Sequence, residues 1–455
     1  MPAHHKAQAW PCLGFNRYTP LMLFFRLPTA ERAKFFFRAL RSRNYRLFFL
    51  GQLTSLAGTW MSLMAMGWLV YRLTNDPFML GLLGFCMHVP TFILSPLGGA
   101  LVDRWNRRTV MIVAQSVDML TMLTLATLTL TGNVEVWHIL LGCSALGIAK
   151  AFDLPARQSL VVEIIEHRDD LPNAIALNSS MFHGARMLGP VLGGVIIWLA
   201  PVNGEGFCFL LDGLSYIAVI GALFALRLTA RREPETRKHL LHDMREGFAH
   251  AFGFAPMRAL MILMGTIALV GIPYGTLLPA IARDVLHGTE RTYSLLVAAG
   301  GMGAFVGAMY LAGRSSVLGL GRIIAICTIM FGLSLALFSF STHLAFSLPL
   351  LVIAGAVSMV AMAGTNTIIQ TLVDDAMRGR VMSFFGMTFM GAMPMGALMA
   401  GKLATIIGPT TTIMIGGFAS ALAGVAFGWQ LPALREIVRP IYVERGILPP
   451  MTETN

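Results

Sequence analysis

Charge is scarce in this 455-residue sequence: 13% of residues are Asp, Glu, Lys or Arg, against 56% hydrophobic. A soluble fold of that composition could not cover itself with polar surface, so most of the chain must face lipid or helices that themselves face lipid. Cysteine is sparse too. Cys12, Cys86, Cys143, Cys208 and Cys327 are scattered, four of them inside apolar runs, with no C-x-x-C or metal-ligand spacing. That pattern argues against a disulfide framework or a metal site and leaves them as packing residues. The sequence also lacks H-E-x-x-H, G-x-S-x-G in a suitable turn and the G-x-x-x-x-G-K-[ST] phosphate loop. Neither an embedded enzyme nor an ATP-driven pump finds its machinery here, and no cofactor is expected.

What the chain does have is long apolar runs. Twelve stretches approach the ~20 residues needed to cross a hydrocarbon core: 47–71, 78–102, 108–131, 136–154, 173–199, 206–227, 258–282, 292–313, 319–340, 345–370, 380–404 and 411–430. Only helices and closed barrels satisfy the backbone in lipid, and runs this long without strict alternation are helices. The expected fold is therefore an all-α membrane protein of twelve transmembrane helices, with the lipid bilayer as its first partner.

The net charge of +11 does not point to nucleic acid, because the basic residues form no single patch. They punctuate the gaps between apolar runs, which is a topology signal. With the N-terminus cytoplasmic, Lys6, Arg17, Arg26, Arg32, Lys34, Arg38, Arg41, Arg43 and Arg46 fall inside, as do Arg157, Arg168 and the group from Arg227 to Arg258. The outside holds little more than Arg72, Arg283, Arg291 and Lys402. An even span count then puts Arg435, Arg439 and Arg445 inside as well, so both termini are expected to be cytoplasmic. Trp137 and Trp198 fall near external helix ends, where headgroup anchoring and ordinary packing are both open readings.

The segment 1–45 is too short in its apolar pieces to span, and reads as a basic stretch on the inner leaflet, with disorder the competing reading for 1–20. The polar interruption at 228–257 divides the spans six and six, giving halves at 46–227 and 258–430 and a cytoplasmic tail at 431–455. An internal echo supports two repeats: Gln158-Ser159-Leu160-Val161 follows the fourth span and Gln370-Thr371-Leu372-Val373 ends the tenth. Paired six-helix repeats with a site between them are a recurrent transporter design.

Between spans two and three, Gly99-Ala100-Leu101-Val102-Asp103-Arg104-Trp105-Asn106-Arg107-Arg108 brings one carboxylate and three guanidinium groups into a short turn. Gly99 permits close helix approach there, and Asp103 suits a helix N-terminus or an Arg partner. Span five carries Ala185-Arg186-Met187-Leu188-Gly189-Pro190-Val191-Leu192-Gly193-Gly194. Its small residues suit close backbone approach, and Pro190 weakens the helix ladder locally.

The first motif resembles the signature loop of the major facilitator superfamily. The second resembles that superfamily's antiporter motif G-x-x-x-G-P-x-x-G-G, with Ala185 replacing the first glycine. Asp153-Leu154-Pro155-Ala156-Arg157-Gln158, Asn173-Ala174-Ile175-Ala176-Leu177-Asn178-Ser179 and Arg378-Gly379-Arg380-Val381-Met382-Ser383 resemble the branch of bacterial efflux proteins that includes the enterobactin exporter. The resemblance covers roughly 44–430 and implies the bacterial inner membrane. It also implies that Gly99, Asp103, Arg104, Arg107 and Arg108 form a cytoplasmic latch between halves that releases during alternating access. Spans one, four, seven and ten would line the cavity, making Gln52, Thr54, Ser55, Trp60, Tyr274, Asn366 and Gln370 lining candidates, a set suited to an amphipathic organic substrate.

Charged groups inside spans are costly and mark function or a satisfied pair. Asp118 in span three, tuned by a cation such as Arg186, is a candidate for proton coupling, and a static buried pair or a polar pocket with Gln115 and Ser116 is the alternative. Asp212 is a second candidate, near enough to the external end to reach the interface. Lys150 and Asp153 suit a gate or latch, with interface anchoring as the alternative. The resulting expectation is a monomeric, proton-coupled exporter of a small siderophore-like or drug-like molecule. An importer or facilitator on the same fold, and a non-transporting receptor or scaffold, are the competing functions.

Overall fold

Twelve helices long and apolar enough to cross a membrane order the chain, as the sequence leads one to expect. In the computed structural model, which describes residues 38–165, 168–227, 252–314 and 316–449, they are α1 (Arg43–Thr74), α2 (Pro77–Arg104), α3 (Arg107–Leu130), α4 (Val136–Ile164), α5 (Leu171–Leu199) and α6 (Gly204–Ala225), then α7 (Ala255–Val285), α8 (Glu290–Ala312), α9 (Leu320–Ser339), α10 (Leu344–Leu372), α11 (Asp375–Ile407) and α12 (Pro409–Glu444). The basic segment expected before residue 38 and most of the central loop lie outside the described residues. Connections at one end of the bundle carry Arg107, Arg108, Arg227 and Arg445; this is called the basic end, and the α1–α2 end the far end.

Packing repeats with a shift of six helices. The pairs α2–α4, α3–α4 and α3–α6 recur as α8–α10, α9–α10 and α9–α12, while α2–α11 and α5–α8 join the first six helices to the last six. The short sequence echo occupies matching places in this pattern. Leu160 and Val161 at the end of α4, and Leu372 and Val373 at the end of α10, are all buried, while Gln158 and Gln370 are exposed.

Two helices outrun the apolar stretches that announced them. α4 continues to Ile164 because Ala156, Leu160, Val161 and Ile164 pack with Tyr45, Phe48 and Val102, while Arg157 pairs with Asp153 and Glu163 with Arg107. α12 continues to Glu444, so the expected tail at 431–455 begins as helix. Leu431, Leu434, Val438 and Ile441 turn one stripe of that extension onto the core, a helical period that mean hydropathy does not register. Arg445 fixes its end by bonding to the Val373 carbonyl at 3.0 Å and to Asp374 at 3.2 Å.

α7 is the least regular span. Wider π turns occupy Ile267–Gly271 and Ile281–Val285, separated by a break at Pro273 and a short helix, Tyr274–Ala280. Such turns interrupt regular helix bonding and recur at functional sites.

Candidate functional site

Pro190 has no N–H, so the carbonyl of Arg186, four residues earlier in α5, loses its helical donor. That carbonyl faces α8, where a Cβ on Gly301 would approach it to 3.0 Å, and Ser294 Oγ donates to the Pro190 carbonyl at 2.6 Å. On the other side, Gly189 lies against the Trp60 Cβ and Gly193 against Met61, both of α1. The antiporter-like motif thus clamps α5 between α1 and α8, with Gly194 against Ser294 completing the joint. Ala185 is buried beside Leu56 and Met181, so the residue that departs from the motif fills a packed position.

This clamp places Arg186 midway along the 29-residue α5. Its guanidinium lies over the Trp60 ring at 5.4 Å, and Phe182 meets the same ring edge-on at 5.7 Å. Tyr274 of α7 lies within electrostatic reach of Arg186, its ring against Phe331 at 6.2 Å and its hydroxyl directed at Gly300 of α8. His183 is also a neighbour, with Nδ1 buried and without a partner. A cation, a histidine and the rings of Trp60 and Phe182 therefore meet at mid-depth, with Tyr274 of the second six helices within electrostatic reach.

The expected pairing of Arg186 with Asp118 does not occur. Asp118 belongs to a separate polar set within the first six helices, and the cation that acts on it most is Lys150. Gln115 donates to Asp153 Oδ1 at 2.9 Å, and Arg157 pairs with the other oxygen of Asp153. Asp153 is therefore held inside the helix bundle. Asp118 is 4% exposed and its Oδ1 has no partner.

Asp212 is 1% exposed, not at the interface as its position along α6 suggested. It accepts from Ser62 of α1, and Ser215 donates to its backbone carbonyl at 2.7 Å. Gly58 provides the room for it on α1. Tyr216, one turn further along α6, has its hydroxyl 3.3 Å from Thr59 Oγ1, and it lies within electrostatic reach of Asp212, Asp118 and Asp153. Tyr216 and Thr59 escaped the sequence reading, although Tyr216 stands at i+4 from Asp212, a same-face spacing.

Among the lining candidates, Trp60 and Tyr274 are brought together around Arg186, while Gln52 and Ser55 are not at a cavity. They are 1% and 4% exposed. Ser55 shares the face of α1 carrying Gly51, Gly58 and Ser62, which packs on α6. Thr54 is exposed and bonds back to the Leu50 carbonyl. Asn366 and Gln370 bond each other at 3.2 Å near the basic end of α10, with Gln370 exposed. Phe182 and His183 were missed, although Phe182 shares Arg186's face at i+4.

Two arginines of the signature loop have described partners. Arg107 pairs with Glu163 of α4 at 3.1 Å, and Arg108 bonds to the Phe224 carbonyl of α6 at 2.7 Å. Both contacts stay within the first six helices. A Cβ on Gly99 would meet nothing within 4 Å; the close approach belongs to Gly98, where it would meet the Ala151 carbonyl at 2.2 Å. The backbone of Asp103 and Arg104 closes α2, and their side chains lie outside the described part of the structure.

Several described ties between the two sets of six lie at the far end. Tyr71 of α1 donates to the Asp284 carboxylate of α7, and the Trp68 ring stacks on Tyr293 of α8 at 6.0 Å. Asp76 caps α2 and accepts from Thr405 of α11 at 3.1 Å. Gly81 and Gly401 bring α2 and α11 together just inside these bonds. Over its length α4 packs on α1, α2 and α3, and α10 on α8, α9, α11 and the start of α7.

A family model described as a transmembrane secretion effector matches residues 36–439. The staphyloferrin A transporter of Staphylococcus aureus is 23% identical over 388 residues, covering 84% of this chain and 95% of that protein. The multidrug efflux pump Tap of Mycolicibacterium fortuitum is 24% identical, covering 86% and 96%. The enterobactin exporter EntS of Citrobacter koseri is 22% identical, covering 88% and 95%. Among solved structures, the nucleoside transporter NupG superposes with a TM-score of 0.67 at 12% identity, over 86% of this chain and 99% of NupG, a likeness of fold.

Proposed function

Because the chain belongs to the transmembrane secretion effector family of major facilitator transporters, we propose that it is a proton-coupled exporter of a small amphipathic organic molecule, siderophore-like or drug-like, working by alternating access. The observation that carries this reading is the mid-depth meeting of Trp60, Phe182 and Arg186 with Tyr274 across the two sets of helices, beneath a tied far end. Sites at the midplane between repeats suit rocking of one repeat against the other. The basic end is cytoplasmic by its charge. The protein acts as a monomer in the inner membrane with both termini cytoplasmic.

Proton coupling rests on the polar set threaded through the first six helices. Asp153 and Gln115, then Asp118, then Tyr216 and Thr59, then Asp212 and Ser62 succeed one another along α3, α4, α6 and α1. The free oxygen of Asp118 offers a place for a proton without disturbing an existing bond. The Asp153–Arg157 pair stands at the inner approach to that set and acts as its gate, and the signature-loop residues Gly99, Asp103, Arg104, Arg107 and Arg108 set the latch at the same end. Export is supported by relatives named for efflux of drugs and export of enterobactin.

The test is gradient-driven uptake into inverted membrane vesicles of a panel of amphipathic compounds, catecholate siderophores included. Accumulation of at least one compound that collapses with the proton gradient is expected. Gradient-independent equilibration would make the protein a facilitator, and no movement of any compound would remove the transport reading.

A further inference from the structure

An arginine at the middle of a membrane span needs a partner, since its charge is costly there. Arg186 has a ring beneath it and, among the described residues, no carboxylate partner: its described contact is the Trp60 face, and its electrostatic neighbours are His183 and Tyr274. A guanidinium carries five N–H donors in a planar fork matched to an oxyanion. Among the described residues no side chain or carbonyl accepts from them, and none of these nitrogens is sealed from the surface. The unpartnered, buried Nδ1 of His183 adds a second polar group at the same place. Of the buried carboxylates of the first six helices, Asp153 is engaged with Arg157, Glu205 with Arg72 and Asp212 with Ser62, and Asp118, whose Oδ1 is unpartnered, has Lys150 and not Arg186 among the charges acting on it.

We propose that the missing anion arrives with the substrate. Resting on the transporter reading above, the inference is that Arg186 forks onto a carboxylate or comparable oxyanion while Trp60 and Phe182 hold the aromatic or apolar body beside it. The Trp60 face already offsets part of the guanidinium's desolvation. An incoming oxyanion adds charge-assisted bonds at the edge, leaving the stacked face undisturbed. Tyr274 lies on the other set of helices, so an occupant bridging Arg186 and Tyr274 touches both moving bodies, as coupling of binding to rocking requires.

The test uses the full chain in lipid nanodiscs and a matched pair of probes, 1-naphthaleneacetate and 1-naphthaleneacetamide, alike in shape and differing in charge. Calorimetric titration should show the acid binding about tenfold or more tighter than the amide, the range expected for hydrogen bonds to a charged group. Arg186→Gln should bring the two within about twofold while keeping amide affinity, and Arg186→Lys should retain part of the preference. Melting curves on each variant establish that it is folded. Equal affinities in the unaltered protein, no binding of either probe, or a preference that survives Arg186→Gln overturns the proposal. Binding does not depend on direction or on protons. An intact acid preference without gradient-driven transport therefore removes the exporter reading alone, and transport without the preference removes the anion site alone.

Discussion

A Cβ placed on Gly58 would stand 2.5 Å from Oδ1 of Asp212 and 3.1 Å from its Cα, so the buried carboxylate on α6 and the missing side chain on α1 are a single arrangement. Gly58→Ala must push α1 off α6 or break the Ser62–Asp212 bond. The expected cost is about 1–3 kcal/mol, typical of overpacking, read as a lower melting temperature in detergent. Combining it with Asp212→Gly, which empties that space, should recover part of the loss; an additive pair would contradict the arrangement.

Arg72 and Glu205 give a second expectation. Glu205 is 1% exposed, one of its oxygens lacks a partner, and Arg72 holds the other at 3.1 Å while remaining 42% exposed itself. Removing Arg72 strands a buried charge, whereas removing both removes the need for a partner. Arg72→Ala should therefore be more damaging than Arg72→Ala with Glu205→Gln. A double variant less stable than the single one would mean that Glu205 is held by something else.

In the alternating-access reading proposed above, the far-end ties set the balance between conformers. Tyr71→Phe deletes the bond to Asp284, and bonds to charged groups contribute about 1.5–3 kcal/mol, enough to shift a two-state ratio by roughly tenfold or more. Spin labels on exposed Leu73 and Ile406 should show a longer-distance population growing in the variant. An unchanged distance distribution would mean that the bond does not hold the far end closed.

The twelve spans were legible because lipid demands long apolar runs, and that signal needs no tertiary information. What could not be read was which face of a helix looks inward. Ser55 and Gln52 were placed on a cavity because α1 lines cavities in this fold, yet both are buried, and Gly51, Gly58 and Ser62 turn the Ser55 stripe onto α6. Arg186 was assigned to Asp118 by depth alone. Depth fixes height in the membrane and leaves azimuth open, and the clamp that turns Arg186 toward Trp60 depends on α8, far away in sequence. The helical end of α12 was hidden for the opposite reason, its apolar stripe being diluted by the arginines between.

Proton movement through Asp118 is the central claim, and the most direct measurement follows it in proteoliposomes with an interior pH dye, adding a substrate found in the vesicle panel to protein of known orientation. The unaltered protein should move protons when substrate is added, and Asp118→Asn should bind the same substrate, melt at a similar temperature and move none. Proton movement by Asp118→Asn at the unaltered rate would contradict the account.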